Sequence, residues 1–218
     1  KESYMMRTMN KGLRVTRHIP YLQIVLASLF SFSFSIIKFY PCVYVKTGAT
    51  YLEKSCWTDI PSVYSNHFLN LHLWPLSFHY LTGLEKSVNP IEYPVILAIF
   101  AWVISFLVKT NSENLTTLSG HYLIATSIFI LLFFILCNLI LYKLTGNKYL
   151  YFAFSPVVIS SMLINWDILA GAFVVLSFYY LNKEKVIQSA FFLVIAISTK
   201  FYPIVSVSYA HLALPTIL

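Results

Sequence analysis

Only eight of the 218 residues are acidic, and one of them, Asp59, stands inside the run Cys56-Trp57-Thr58-Asp59-Ile60-Pro61-Ser62-Val63-Tyr64. A lone carboxylate beside apolar residues can act as a general base, taking the proton that an attacking hydroxyl must shed. The position also suits a structural role, because Asp caps helix N-termini and Pro is favoured at the first helical positions. The two roles are compatible. Asp167, in Asn165-Trp166-Asp167, carries the same helix-cap reading. Glu92, in Glu92-Tyr93-Pro94, is either a first-turn acid favoured by a helix dipole or a group that holds a sugar hydroxyl or a metal. Trp166 is either an interfacial anchor or a stacking face for a sugar ring. Lys200, in Ser198-Thr199-Lys200-Phe201-Tyr202-Pro203, falls roughly fourteen residues into an apolar segment, ~20 Å along a helix. At that depth its ammonium either snorkels to the membrane boundary or neutralises a lipid phosphate. Glu2, Glu53, Glu85, Glu113 and Glu184 lie beside lysines or in polar stretches, where solvation accounts for them.

Other chemistries lack support. His67, His72 and His79 are spaced by 5 and 7 residues, which makes no metal signature. The sequence contains no HExxH, CxxC, P-loop or GxGxxG pattern. No metal site and no nucleotide cofactor is therefore expected, although a divalent ion beside a lipid-linked donor stays open. Cys42 and Cys56 share one loop, where a disulfide is permitted but spacing alone cannot show it.

The elements that must position these groups are written in the composition. The chain is 58% apolar, 17% aromatic and only 11% charged, against about 25% charged in an ordinary soluble domain. Its mean hydropathy is +0.72. A charge at mid-membrane costs about 2.5–3.5 kcal/mol, so bilayer solvent explains this scarcity. We expect an all-α, polytopic transmembrane bundle occupying 1–218 as one domain. Apolar segments at 21–40, 91–108, 121–142, 149–165, 168–181 and from 186 onward are the candidate spans. Residues 41–90 form a first external loop, with one or two short helices lying in the interface.

The formal charge of +7 does not point to nucleic acid. Lys1, Arg7, Lys11, Arg14 and Arg17 stand against Glu2 alone just before the first span, as a cytoplasmic anchor facing anionic lipid does. The short connections with Lys143 and Lys148, and with Lys183 and Lys185, belong on the same side. Asp59 and Asp167 then face outward. Counting crossings leaves 91–108 beginning and ending on one face, so that segment reads as re-entrant. The sequence begins at Lys1 and ends at Leu218 inside an apolar run, which reads as part of a longer chain.

Four pieces in this order, CWTDIPSVY, EYPV, NWDILA and STKFYP, resemble the actinobacterial polyprenyl-phosphate-mannose-dependent α-(1→2)-mannosyltransferases of the GT-C superfamily. The likeness covers about residues 20–205, the N-terminal half of a typical member. It implies a GT-C-like membrane fold and inverting transfer of a hexose, with mannose expected, from a polyprenyl phosphate to a glycolipid or glycan hydroxyl. Asp59 would be the catalytic base and Lys200 would bind the departing phosphate. Glu92, Tyr93, Trp166 and Asp167 would line the sugar and acceptor cavity, with Tyr64, His67, Asn165 and Tyr202 completing the substrate-binding set. The family pattern has Arg-Gly where this chain has His67-Phe68, and a neutral imidazole is a weaker phosphate ligand. The competing expectation is a multi-span transporter or lipid flippase in which Asp59, Asp167 and Lys200 line a polar path. Such a protein should show two similar halves, and none is visible. A purely structural membrane subunit is the third possibility; it would have no need of outward-facing acids beside an interfacial helix.

Overall fold

The computed structural model describes residues 19–44, 56–81, 86–109 and 114–205. The basic lead, Glu53, Glu85 and Glu113 lie outside these residues. The described chain is mostly helical. Helix α1 (Ile19–Phe39) continues into a 3-10 turn at Tyr40–Tyr44. Helix α2 (Asp59–Asn66) is followed by a second such turn at Leu69–Leu71 and by an antiparallel pair, β1 (His79–Leu81) and β2 (Lys86–Val88). Then come α3 (Val95–Ser105), the long α4 (Leu115–Thr145), the short α5 (Tyr149–Ala153) and α6 (Pro156–Ser161), and finally α7 (Asp167–Leu181) and α8 (Val186–Thr199). The small β pair departs from the all-α expectation: part of 41–90 pairs as two antiparallel strands.

Two helical stretches, Pro20–Val43 and Leu115–Ala153, are long and apolar enough to cross a membrane. They are joined by buried polar contacts. Asn138 Nδ2 on α4 donates to Ser28 Oγ on α1 at 3.0 Å, and Ser28 donates back to the Ile24 carbonyl at 2.8 Å. Small hydroxyl residues of this kind let apolar helices approach closely. Helix α4 outruns the expected 121–142. Asn114 caps it by accepting from the Thr117 N–H at 2.9 Å, and Gly146, at φ 63°, ends it in a conformation that suits a residue without Cβ.

The stretch 149–165 is not one helix but two. Pro156 has no N–H to continue α5, and Ser155 starts α6 afresh by accepting from the Val158 N–H. These short helices run parallel to α1: Ile24 clusters with Tyr149 and Ala153, Phe30 meets Phe154, and Lys38 donates to the Ser160 carbonyl at 3.4 Å. Helices α7 and α8 form an antiparallel hairpin, joined near its closed end by Ser177 and Ser189 at 3.0 Å. At 15 and 14 residues they measure ~22 and ~21 Å, less than the ~30 Å hydrocarbon core.

Helix α3 has 11 residues, ~16 Å, and cannot span the bilayer as one element. Its start follows Tyr93, whose hydroxyl bonds Asp59. Its end is held by His72: Trp102 Nε1 donates to the His72 carbonyl at 3.0 Å, and the His72 ring meets Ser105 Oγ at 3.1 Å. Both ends of α3 are thus tied to residues 56–81.

Candidate active site

Hydrogen bonds, burial and a disulfide together fix the head of α2. The Asp59 N–H donates to the Ile164 carbonyl at 2.7 Å, and Thr58 Oγ1 donates to the Leu163 carbonyl at 2.6 Å. These two bonds dock α2 on the turn between α6 and α7. Ile60, Pro61, Val63 and Tyr64 bury the inner face of the helix. A Cys42–Cys56 disulfide fastens the segment leading into Asp59 to the end of α1. Spacing left that bridge undecided; the fold brings the two Cα atoms to 5.1 Å.

Asp59 is the first residue of α2, not its cap. Thr58 occupies the cap position, and no side chain caps the helix. The carboxylate is instead used elsewhere: Asp59 Oδ2 accepts from the Tyr93 hydroxyl at 2.8 Å. Tyr93 is the centre of the cluster. Its ring meets Trp166 edge-on at 5.5 Å, and the Lys200 ammonium lies 4.9 Å from its centroid. Lys200 Nζ also pairs with Asp167 Oδ1 at 3.1 Å. The Lys200 side chain is 18% exposed and that of Asp167 49%, so the cation is the sheltered member of the pair. Helix ends assist both charges, because Asp167 opens α7 and Lys200 closes α8. The helix stops at Thr199, so Lys200 has extended backbone at its end rather than lying within a longer sixth span.

Tyr93 is held well above the ordinary tyrosine value, first by burial, then by its bond to Asp59 and by the charges of Asp59, Asp167 and Glu92. Its hydroxyl therefore stays a proton donor. Tyr202 is half exposed, with its hydroxyl 3.4 Å from the Asp167 carbonyl; the partial desolvation of its phenol, and then the Asp167 charge, push it up to about 12. Glu92 is exposed at the edge of this group.

Six of the sequence-nominated residues thus meet: Asp59, Tyr93, Trp166, Asp167, Lys200 and Tyr202. Four nominated residues have structural partners of their own in the fold. Tyr64 is fully buried and stacked on Tyr122 at 4.6 Å, as a core residue. Trp166 is also fully buried, so its indole is neither an interfacial anchor nor an open sugar platform. The Asn165 side-chain oxygen accepts from the Asp167 N–H at 3.0 Å, in the turn just before α7. His67 Nδ1 bonds the Asn89 carbonyl at 3.0 Å and takes the place of a C-cap on α2. The sequence reading passed over Thr58; a hydroxyl residue directly before the acid was the available sign. No three His, Cys, Asp or Glu side chains converge as a metal site among the described residues.

The arrangement sets a proton acceptor, Asp59, and a cation, Lys200, against the same phenol ring, with Asp167 open beside them. That is the equipment for removing a proton from a hydroxyl next to a bound anion. Comparison with known proteins returns no matching family model, no matching curated protein and no matching solved structure.

Proposed function

We propose that the chain belongs to a membrane glycosyltransferase that moves a hexose, with mannose expected, from a polyprenyl phosphate to a glycolipid or glycan hydroxyl with inversion. The observation that carries this reading is the pairing of Asp59 and Lys200 on one tyrosine. Asp59 takes the acceptor proton as the acceptor oxygen bonds to the anomeric carbon. The bond from that carbon to the phosphate oxygen breaks with its electron pair, and the lipid phosphate leaves against Lys200. Lys200 exchanges Asp167 for the phosphate when the donor enters. The donor arrives activated, so the reaction consumes no nucleotide. The fold proposed with it is a polytopic GT-C-like bundle in the cell membrane, with a cytoplasmic N-terminus and Asp59 on the external side. In support, Lys143 and Lys183 both lie over the Tyr179 ring, at the other end of α7 from Asp167.

The test is transfer of labelled mannose from polyprenyl-phosphate-mannose by the full-length protein in membranes. Asp59→Asn should lower transfer by about 10²–10⁴-fold at unchanged protein level. Undiminished transfer by that variant would remove Asp59 from its role. Movement of the lipid-linked sugar across the membrane without any transfer product would favour the transporter instead.

A further inference from the structure

The resemblance makes Tyr93 one of the residues that line the substrate cavity; the contacts around it assign a different task. We propose that Tyr93 is a positioning residue that couples the base to the phosphate-binding cation: its hydroxyl orients the Asp59 carboxylate while its ring face seats Lys200. This assignment rests on the transfer reaction proposed above.

Three contacts carry it. The hydroxyl is committed to Asp59 Oδ2 at 2.8 Å. The ring face is committed to the Lys200 ammonium at 4.9 Å. The ring also stands edge-on to the fully buried Trp166 at 5.5 Å, which fixes its plane. A phenol with hydroxyl, face and plane all taken by protein groups has little left to offer a sugar. It has much to offer two catalytic groups that come from different elements: Asp59 heads α2, and Lys200 closes α8. Pro94 directly follows Tyr93 and stands as the N-cap of α3, so the tyrosine enters the cluster from a stiff connection.

The two halves of the phenol can be separated. Tyr93→Phe keeps the ring under Lys200 and removes only the donor to Asp59. A carboxylate that loses this side-chain donor is free to turn away from the incoming hydroxyl, so Tyr93→Phe should lower kcat by about tenfold while the donor KM holds within about twofold. Tyr93→Leu removes the ring face as well and should add an increase of about fivefold in the KM for the lipid-linked donor.

The experiment measures, for the full-length protein in lipid discs, binding of a polyprenyl phosphate and transfer from polyprenyl-phosphate-mannose. Support is a kcat lowered by about tenfold in Tyr93→Phe with donor KM and polyprenyl-phosphate Kd within about twofold of wild type, together with a Kd raised about fivefold in Tyr93→Leu. A wild-type kcat in Tyr93→Phe, or a wild-type Kd in Tyr93→Leu, overturns the proposal. Should Tyr93→Leu not accumulate, Tyr93→Met takes its place with the same expected rise. The binding measurement does not need turnover. The expected Kd pattern in a protein that transfers no sugar upholds the seating of Lys200 and sinks the glycosyltransferase reading alone.

Discussion

Lys200 has one salt-bridge partner among the described residues, Asp167, and in the proposed reaction it must change that partner. Lys200→Met should raise the donor KM by about tenfold or more, as loss of a charge-assisted bond does. Asp167→Asn should act the other way: with no carboxylate to displace, the donor KM falls by about twofold while kcat holds. Saturation curves for the two variants check both directions. Tyr202 supplies a separate pH test. Its folded value of about 12 lies above the ordinary 10, so the folded chain keeps a proton that the unfolded phenol releases. Its contribution to stability is complete below pH 10 and is lost as pH rises through about 12. Melting temperatures measured at about pH 9 and about pH 11 should therefore diverge, and Tyr202→Phe should narrow the gap. At this scale the sequence disclosed the acids and the lysine, because charges are rare in so apolar a chain. It did not disclose what Tyr64, His67 and Asn165 do. An aromatic, an imidazole and an amide each have local uses, here stacking on Tyr122, a bond to the Asn89 carbonyl and a bond from the Asp167 N–H, that no residue type announces.

The caps can be ranked. Asn114 accepts from both the N–H and the hydroxyl of Thr117, at 2.9 and 3.1 Å, whereas Ser155 accepts from Val158 at a long 3.5 Å. Asn114→Ala should cost about 1 kcal/mol, and Ser155→Ala less than about half of that, read as shifts in denaturation midpoint. Pro156 still starts α6 without the serine bond. Helix positions were largely visible in the hydropathy. The reading 21–40 became Ile19–Phe39, and 168–181 became Asp167–Leu181. The error on α4 has a physical cause: Thr117, Ser119 and His121 lower the apolar signal but not the backbone bonding, so the helix runs six residues beyond the apolar edge to Leu115. In 149–165 the Ser155-Pro156 pair announces a bend, and the structure turns that bend into a break between α5 and α6.

The site is assembled from four parts of the chain that share no local pattern. Asp59 and Tyr93 are 34 residues apart, and Lys200 reaches back to the head of α7. Pairings at such distance are products of the fold, and hydropathy gives no hint of them. Sidedness can be checked directly, since Cys42 and Cys56 are bridged and Cys137 is buried, leaving the native thiols silent. Single cysteines at Val95 and Phe106, both exposed, should react with an impermeant maleimide from one side of the membrane, and Lys148→Cys only from the other. Reaction of Val95→Cys and Phe106→Cys from opposite sides would mean that the α3 segment crosses after all. The bridge itself sets a condition on biogenesis. Two sulfur atoms join only where an electron acceptor awaits them, which the reducing cytosol does not offer. A host that inserts every helix correctly but lacks that oxidising step would deliver a chain whose approach to Asp59 hangs loose from α1.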